Sequence, residues 1–549
     1  MAFPSHGITH RPTVTGTRGM VASAHPLASL AGVRILLQGG NAFDAIVAVA
    51  STLNVVEPYM SGIAGNGYML TYNAKEKAIR VLDYMGTSPY QATLDVYSTP
   101  ETKEIGIRSG MVPGACGGWL ALLEQYGSMN RADVFAPAIE LAENGYAVTV
   151  KNAYFMEGAG SRFSPTAAKV IMARGRTPRP GEILVQKDLA GTFRKVVEGG
   201  TEIFYHGEIA QEIAQFCREN QGLITEKDLS DFRVEWLDPI SVRYKEYEIY
   251  CPPPPCAGFQ YLETLNILEG DSLGELGHNS AEYLHLLIEA VKLASADRAE
   301  YTCASNPPIS GLLTKSYAAS QRQRIGDHAA ISGGERYTKD KLLGEVLAGN
   351  PSEWINECTT HFDVVDSEGN AVAVTQSLGS GFGSGVILGE TGMFLNNFIN
   401  WFDLPDGSGQ ALPESPNVIA PHKKIEMCIA PCQIWRDGVL FALIGTPGSH
   451  GILHTTAQMI LNLIEHGMNI QAAIEAPRIR LSQPGTHVGL EGRIPVDVRE
   501  ALAARGHDID VLPDWTPAVG GGQGIAVNSD EGSFMGGADP RRDGYAIGI

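Results

Sequence analysis

The sequence predicts an α+β chain in which helices and strands occupy separate stretches. Three observations carry this. From Val112 to Gly222 the apolar residues recur with helical spacing, most clearly over Ala136–Asn144 and Glu208–Glu219. After residue 360 the pattern changes to short apolar runs divided by Gly or Asp turns. Gly and Pro are abundant (63 and 31 of 549 residues) without any period, as tight turns over a sheet-rich scaffold require.

Taken in order, residues 1–18 are polar and basic and read as a disordered lead-in. Gly19–Ser23 is a short strand. A helix runs from His25 to Gln38 and stops at Gly39-Gly40. Asn41 then caps a helix over Ala42–Leu53 that is apolar on all sides and therefore buried. Ser61–Gly67 is a glycine loop. It has no P-loop Lys and no helix behind it, so close backbone packing suits it better than anion binding. Tyr68–Tyr72 and Ile240–Tyr250 read as strands, and the prolines 252–255 as extended chain. Gln260–Leu268 and Ala281–Tyr301 are helices. The charges of the second (Glu289, Lys292, Asp297, Arg298) suit either a solvated face or salt bridges within the core. Residues 324–355 are polar and irregular and read as exposed and mobile. Strands follow at His361–Asp366, Ala371–Ser377, Met393–Asn396 and Val439–Ile444, with a hairpin turn at Ser367–Asn370. Ala457–Glu465 and Asp497–Arg505 supply late helices.

Charge and cysteines exclude several classes. There are 41 basic against 61 acidic residues, a net charge of −20, and no basic run of the kind nucleic acid requires. No apolar run reaches the roughly 18 residues of a membrane helix, nor does the N-terminus hold an apolar stretch of signal-peptide length, so a cytoplasmic protein is expected. The eight cysteines contain no CxxC pair and read as reduced, partly buried thiols. His450 and His454 are four apart, but no nearby Glu completes a zinc motif. Gly381–Gly385 lacks the strand pattern and acidic partner of a dinucleotide turn. Neither a metal nor a cofactor is expected.

The chemistry lies where the polar stretch ends, at Thr359-Thr360-His361. A Thr hydroxyl is a poor nucleophile without a base beside it. An N-terminal Thr carries its own, because its α-amine has a pKa near ~8. Making that terminus inside a chain requires a cut, which the same hydroxyl can perform on the preceding carbonyl. A Thr-Thr pair at a strand start is equally what β-propensity produces.

Ordered motifs decide between these readings. They include Gly39-Gly-Asn-Ala-Phe-Asp-Ala45, Val56-Glu-Pro58 with the 62–67 loop, Val112-Pro-Gly114, Ala296-Asp-Arg298, Thr359-Thr-His361, Val364-Val-Asp366 and Gly369-Asn370. Thr391-Gly392, Leu395-Asn-Asn397, Pro447-Gly448, Ala476-Pro-Arg478 and Ala538-Asp-Pro540 follow. Together they resemble the γ-glutamyltransferase family of Ntn-hydrolases over almost the whole chain. The resemblance implies a four-layer αββα sandwich, one domain built from two self-cleaved subunits. The cut falls between Cys358 and Thr359, giving a large subunit (19–358, behind the lead-in) and a small one (359–549). Thr359 is the implied nucleophile, with Thr360 the runner-up. Thr375 and Ser377 match the neighbouring strand, Ser377 standing where the family has a Thr bonded to the nucleophile. Gly448 and Ser449 match the backbone donors of the oxyanion hole, although a turn cap after Pro447 would read alike.

The chain departs from the family where glutamyl substrates are gripped. Met85 stands for an Arg, Trp401 for an Asp, Met427 and Cys428 for a Ser pair, Gly379 for an Asn and Phe398 for a Gln. Each change removes a charge or a hydrogen-bonding group, so a zwitterion would lie desolvated and unpaired. The expectation is a self-processing amidohydrolase or acylase, like the oxamate amidohydrolase and cephalosporin-acylase-like members. It would act on a small amide through an acyl-enzyme in an apolar acyl pocket. Glutathione-like turnover and an inactive scaffold of the same fold are the alternatives. The expected partners are the two subunits of one precursor, with pairing of heterodimers left open and neither nucleic acid nor membrane involved.

Overall fold

The computed structural model describes residues 3, 6, 7, 9–97, 101–330, 357–404, 415–482 and 487–549. Its centre is a pair of seven-stranded sheets. The first orders its strands Tyr545–Gly548, Gly19–Ser23, Glu357–Asp366, Ala371–Ser380, Asn66–Asn73, Ala78–Asp83 and Glu235–Leu237. The second runs Val14–Gly16, Ser533–Ala538, Gln523–Asn528, Val439–Gly445, Cys432–Arg436, Tyr247–Cys251 and Ile240–Tyr244. Every neighbouring pair in both sheets is antiparallel.

Strand alternation sorts the side chains into layers. On one face of the first sheet Val21, Phe362, Val364, Val372 and Val374 pack against helices Pro26–Leu37, Ala42–Val56 and Arg131–Asn144. Met20, Ala22, Val365, Ala371 and Ala373 point the other way and meet Leu443, Ile525 and Phe534 of the second sheet. Helices Phe259–Leu268, Ala281–Tyr301 and Gly451–Ile464 cover that sheet's outer face. This is the four-layer αββα arrangement, with both sheets buried on two sides.

The helix Ala42–Val56 shows how local sequence sets this up. Asn41 Oδ1 accepts from Phe43 and Asp44 N–H, and Asp44 reciprocates on Asn41 N–H, a capping box. All fifteen residues are buried.

Several expectations need correction. Residues 1–18 are not wholly a lead-in: Val14–Gly16 pairs with Phe534–Gly536 and forms an edge of the second sheet. Ile240–Tyr250 is a hairpin, because Lys245 adopts φ +53 and turns the chain between Tyr244 and Tyr247. Met393–Asn396 contributes one bridge, Ile387 to Phe394, and no strand. Gly451, not Ala457, begins the late helix. In Ala281–Tyr301 the charges are internal: Lys292 Nζ lies 2.7 Å from Glu289 Oε1, both buried, and Arg298 pairs with Glu426. Most of the polar stretch 324–355, from residue 331 on, falls outside the described residues.

Candidate active site

The Cys358–Thr359 peptide bond lies near the start of the strand Glu357–Asp366, which is central in its sheet. Thr359 is buried and its side chain faces the gap between the sheets. Its hydroxyl donates to Ser377 Oγ at 3.3 Å, and Ser377 Oγ also accepts from Gly379 N–H at 2.8 Å. The register shifts here: Cys358 pairs with Gly379 and Thr360 with Gln376, so the partner strand carries the extra residue. Gly379 sits at φ +100, as that irregularity requires.

Along the same face, His361 Nδ1 lies 2.8 Å from Thr375 Oγ1 and His361 Nε2 lies 3.2 Å from Asp363. Burial pushes the Asp363 carboxyl up, while His361 pulls it back. Thr375 therefore supports His361 and does not touch the Thr359 hydroxyl. Gly445 of the facing sheet lies on the imidazole, where an added Cβ would come within 2.4 Å of His361 Cε1. Thr360 points the opposite way and donates to Glu57 Oε2 at 3.2 Å, so the two threonine hydroxyls lie on opposite faces of the strand.

A chain of contacts brings the loop after Val439–Gly445 to Thr359. Arg542 Nη1 donates to Thr359 O at 3.0 Å. Gly521 packs on the Arg542 side chain, and its N–H donates to Thr446 Oγ1 at 3.0 Å. Gly520 lies against Thr446 and Gly448. Gly448 (φ +133) and Ser449 (φ +55) are both in the left-handed half of backbone space. Among the described residues no group accepts a hydrogen bond from either N–H. The anchor below is a fully buried ion cluster. Arg478 Nη2 lies 2.7 Å from Asp539, Arg541 Nη1 3.1 Å from Asp539, and Arg541 Nη2 2.6 Å from Glu491. Burial alone would raise the Asp539 carboxyl, but Arg541 and Arg478 outweigh it and hold it below its usual value. The Ala476-Pro-Arg478 and Ala538-Asp-Pro540 motifs thus share one structural task.

Most of the residues that the resemblance sets in place of the glutamyl grip lie in the apolar core. Met85, Phe398, Met427 and Cys428 are buried in one apolar cluster, against which half-buried Trp401 packs. The Trp401 ring centroid is 5.2 Å from that of His450, the residue after Ser449. Gly379 does not belong to this wall. A Cβ there would lie 2.4 Å from Asn397 Oδ1, so Asn397 fills the space a side chain would take. That oxygen is buried and has no hydrogen-bond partner among the described residues.

His450 and His454 do not act together. His450 Nε2 is 3.4 Å from Glu426, and His454 Nδ1 accepts from Leu481 N–H. Burial, aided by Arg298 and Arg480, drives His450 well below its ordinary value, so it is neutral. The one convergent group of metal-ligand type among the described residues is His285, Glu289 and His507, where the Lys292 ammonium already sits on the carboxylate.

Residues missed from sequence are Glu57, His361, Asp363, Asn397 and Arg542. A signal existed for two of them: His361 and Asp363 continue, at period two from Thr359, a polar face on an otherwise apolar strand.

A family model described as gamma-glutamyltranspeptidase matches residues 28–549. The chain belongs to the gamma-glutamyltranspeptidase family. It is 37% identical to an acylase proenzyme of a Pseudomonas strain over 97% of this chain and 94% of that one. It is 36% identical to a glutathione hydrolase-like proenzyme of Bacillus subtilis over 98% and 99%. The crystal structure of a cephalosporin acylase from Bacillus halodurans superposes with a TM-score of 0.88 at 32% identity, covering 100% of this chain and 98% of that one. The family member described here is an Ntn-hydrolase-type enzyme. None of its described helices is long and apolar enough to cross a membrane.

Proposed function

We propose that this chain cuts itself between Cys358 and Thr359 and then hydrolyses a small amide whose acyl group is largely apolar. In the first reaction Thr359 Oγ adds to the Cys358 carbonyl carbon and the bond to Thr359 N breaks. The nitrogen takes up the proton the hydroxyl loses. Water then hydrolyses the ester, leaving a Cys358 carboxylate and a free Thr359 α-amine. In turnover that amine receives the hydroxyl proton as Oγ attacks the substrate, and returns it to the departing amine. Ser377 aligns Oγ, and the Gly448 and Ser449 N–H groups bind the oxyanion. The mature protein is a heterodimer of 1–358 and 359–549, acting in the cytoplasm.

The reading of the acyl pocket rests on one observation. Met85, Phe398, Trp401, Met427 and Cys428 form or border a single apolar cluster in which none of the five carries a charge. Relatives named acylase proenzymes support amide hydrolysis beyond glutathione, without giving the acyl group. A second reading, γ-glutamyl hydrolysis, is favoured by Asn397, whose amide occupies the space beside Gly379. Denaturing gels test the first reaction: two bands are expected, and one lasting band near 58.8 kDa would refute it. Turnover of acyl anilides against γ-glutamyl anilide tests the second. Preference for the γ-glutamyl compound would overturn the apolar-pocket reading.

A further inference from the structure

The Val56-Glu57-Pro58 stretch carries chemistry that the proposed mechanism leaves unused. Glu57 caps the C-terminal end of Ala42–Val56. Asn152 fixes that end, with Nδ2 donating to Val56 O at 3.1 Å and to the Tyr59 hydroxyl at 2.7 Å. The buried carboxylate therefore lies against the helix-side face of the Thr359 strand, where it accepts from the Thr360 hydroxyl. Arg542 reaches the same strand end by its bond to Thr359 O. An acid and a base, both buried, thus bracket the first two residues of the future small subunit.

We propose that Glu57 is a positioning residue for the N-terminal threonine: it fixes the strand end through the Thr360 hydroxyl and, balanced against Arg542, sets how readily the Thr359 α-amine holds a proton. This rests on the self-cleavage reading above. The charged and titratable groups facing Glu57 are Arg542 and Asp543 from the turn before Tyr545, Tyr59 from its own turn, and Tyr146 from a neighbouring strand. Burial pushes its carboxyl up to about 7, Arg542 pulls it down and Asp543 pushes it up. Its charge therefore changes in the pH range where an N-terminal amine must lose its proton. Ionised Glu57 offsets the Arg542 cation beside the amine. Without that negative charge, Arg542 repels the amine's proton, and the amine becomes a competent base at lower pH.

The test is the pH dependence of kcat/KM for an acyl anilide, measured on self-cleaved wild type, Glu57→Gln and Thr360→Val. Gln keeps an acceptor for Thr360 but cannot ionise. Its acid limb should move to lower pH by at least about half a unit, with KM changed less than about twofold. Thr360→Val removes the hydroxyl that stabilises the carboxylate, so its limb should move the same way and kcat should fall about tenfold at unchanged KM. Profiles of either variant that superimpose on wild type would overturn the proposal. Should Glu57→Gln not fold, the Thr360→Val profile decides alone. A wild type that is never cut would instead sink the parent reading.

Discussion

The two faces of the strand Glu357–Asp366 differ over the same few residues. Toward the other sheet stand Thr359, His361 and Asp363, joined to Ser377 and Thr375 by hydrogen bonds. Toward the helices, Phe362 and Val364 are ordinary core between two polar residues, Thr360 at the strand start and Asp366 at its end, which accepts from Ala42 N–H. The alternation of a strand thus separates the Thr359 hydroxyl from an identical hydroxyl one residue on. What distinguishes the two threonines is what each faces. The sharpest way to break this comparison is to remove each hydroxyl in turn. Thr359→Ala should leave one uncut chain without anilide turnover. Thr360→Ala should still cut, more slowly. If Thr359→Ala cuts and Thr360→Ala does not, the roles are reversed.

Ser377→Ala ranks next. It removes the one side-chain partner that the Thr359 hydroxyl has among the described residues, while leaving the sheet register intact. Self-cleavage, followed on gels over time, should slow by about 10²-fold. Ser377→Thr, which keeps the hydroxyl, should restore most of the rate. An unchanged rate in the Ala variant would show that the hydroxyl is held by the strand alone.

On the sheet-facing side the sequence singled out Thr359, Thr375 and Ser377 and missed the roles of His361 and Asp363. Thr359 stood out because the family resemblance decided between N-terminal-Thr chemistry and plain β-propensity, and Ser377 because it kept a hydroxyl at the matching place. The helix-facing side was not legible. Glu57 and Thr360 are 303 positions apart, and nothing in either's neighbours announces that a helix end meets a strand start. Arg542 is likewise joined to Thr359 only by the sheet order. The helices were read well where a side-chain cap marks the start, as at Asn41, or where apolar periodicity is strong, as over Glu208–Glu219. The hairpin at Lys245 was missed because a non-glycine residue makes the turn. Spacing likewise does not reveal that Asn397 fills the space beside Gly379.

The helix-facing side also carries a pH signature in stability. A carboxyl whose folded pKa is raised to about 7 binds its proton more tightly when folded than when unfolded. Its neutral form costs nothing extra below about pH 4.5, and the cost of burying its charge grows until about pH 7. Wild type should therefore lose stability over that window relative to Glu57→Gln, by on the order of 3 kcal/mol. Denaturant unfolding of both proteins at pH 5 and pH 8 measures it. A constant difference across the two pH values would show that Arg542 neutralises the carboxylate fully.

The smallest effect probes where the sheet-facing side ends. Gly379 at φ +100 is strained for any L side chain, and Asn397 Oδ1 lies where a Cβ would go. Gly379→Ala should cost about 2 kcal/mol, read as a lowered unfolding midpoint. Part of that cost is backbone strain and part is displacement of Asn397, and Asn397→Ala separates them. In the double variant the steric part vanishes, so the two changes should destabilise by less than the sum of their single effects. Strict additivity would mean that Asn397 swings aside freely. The space beside Gly379 could then admit a larger side chain, or a bulkier substrate group, without rebuilding the strand that holds Ser377.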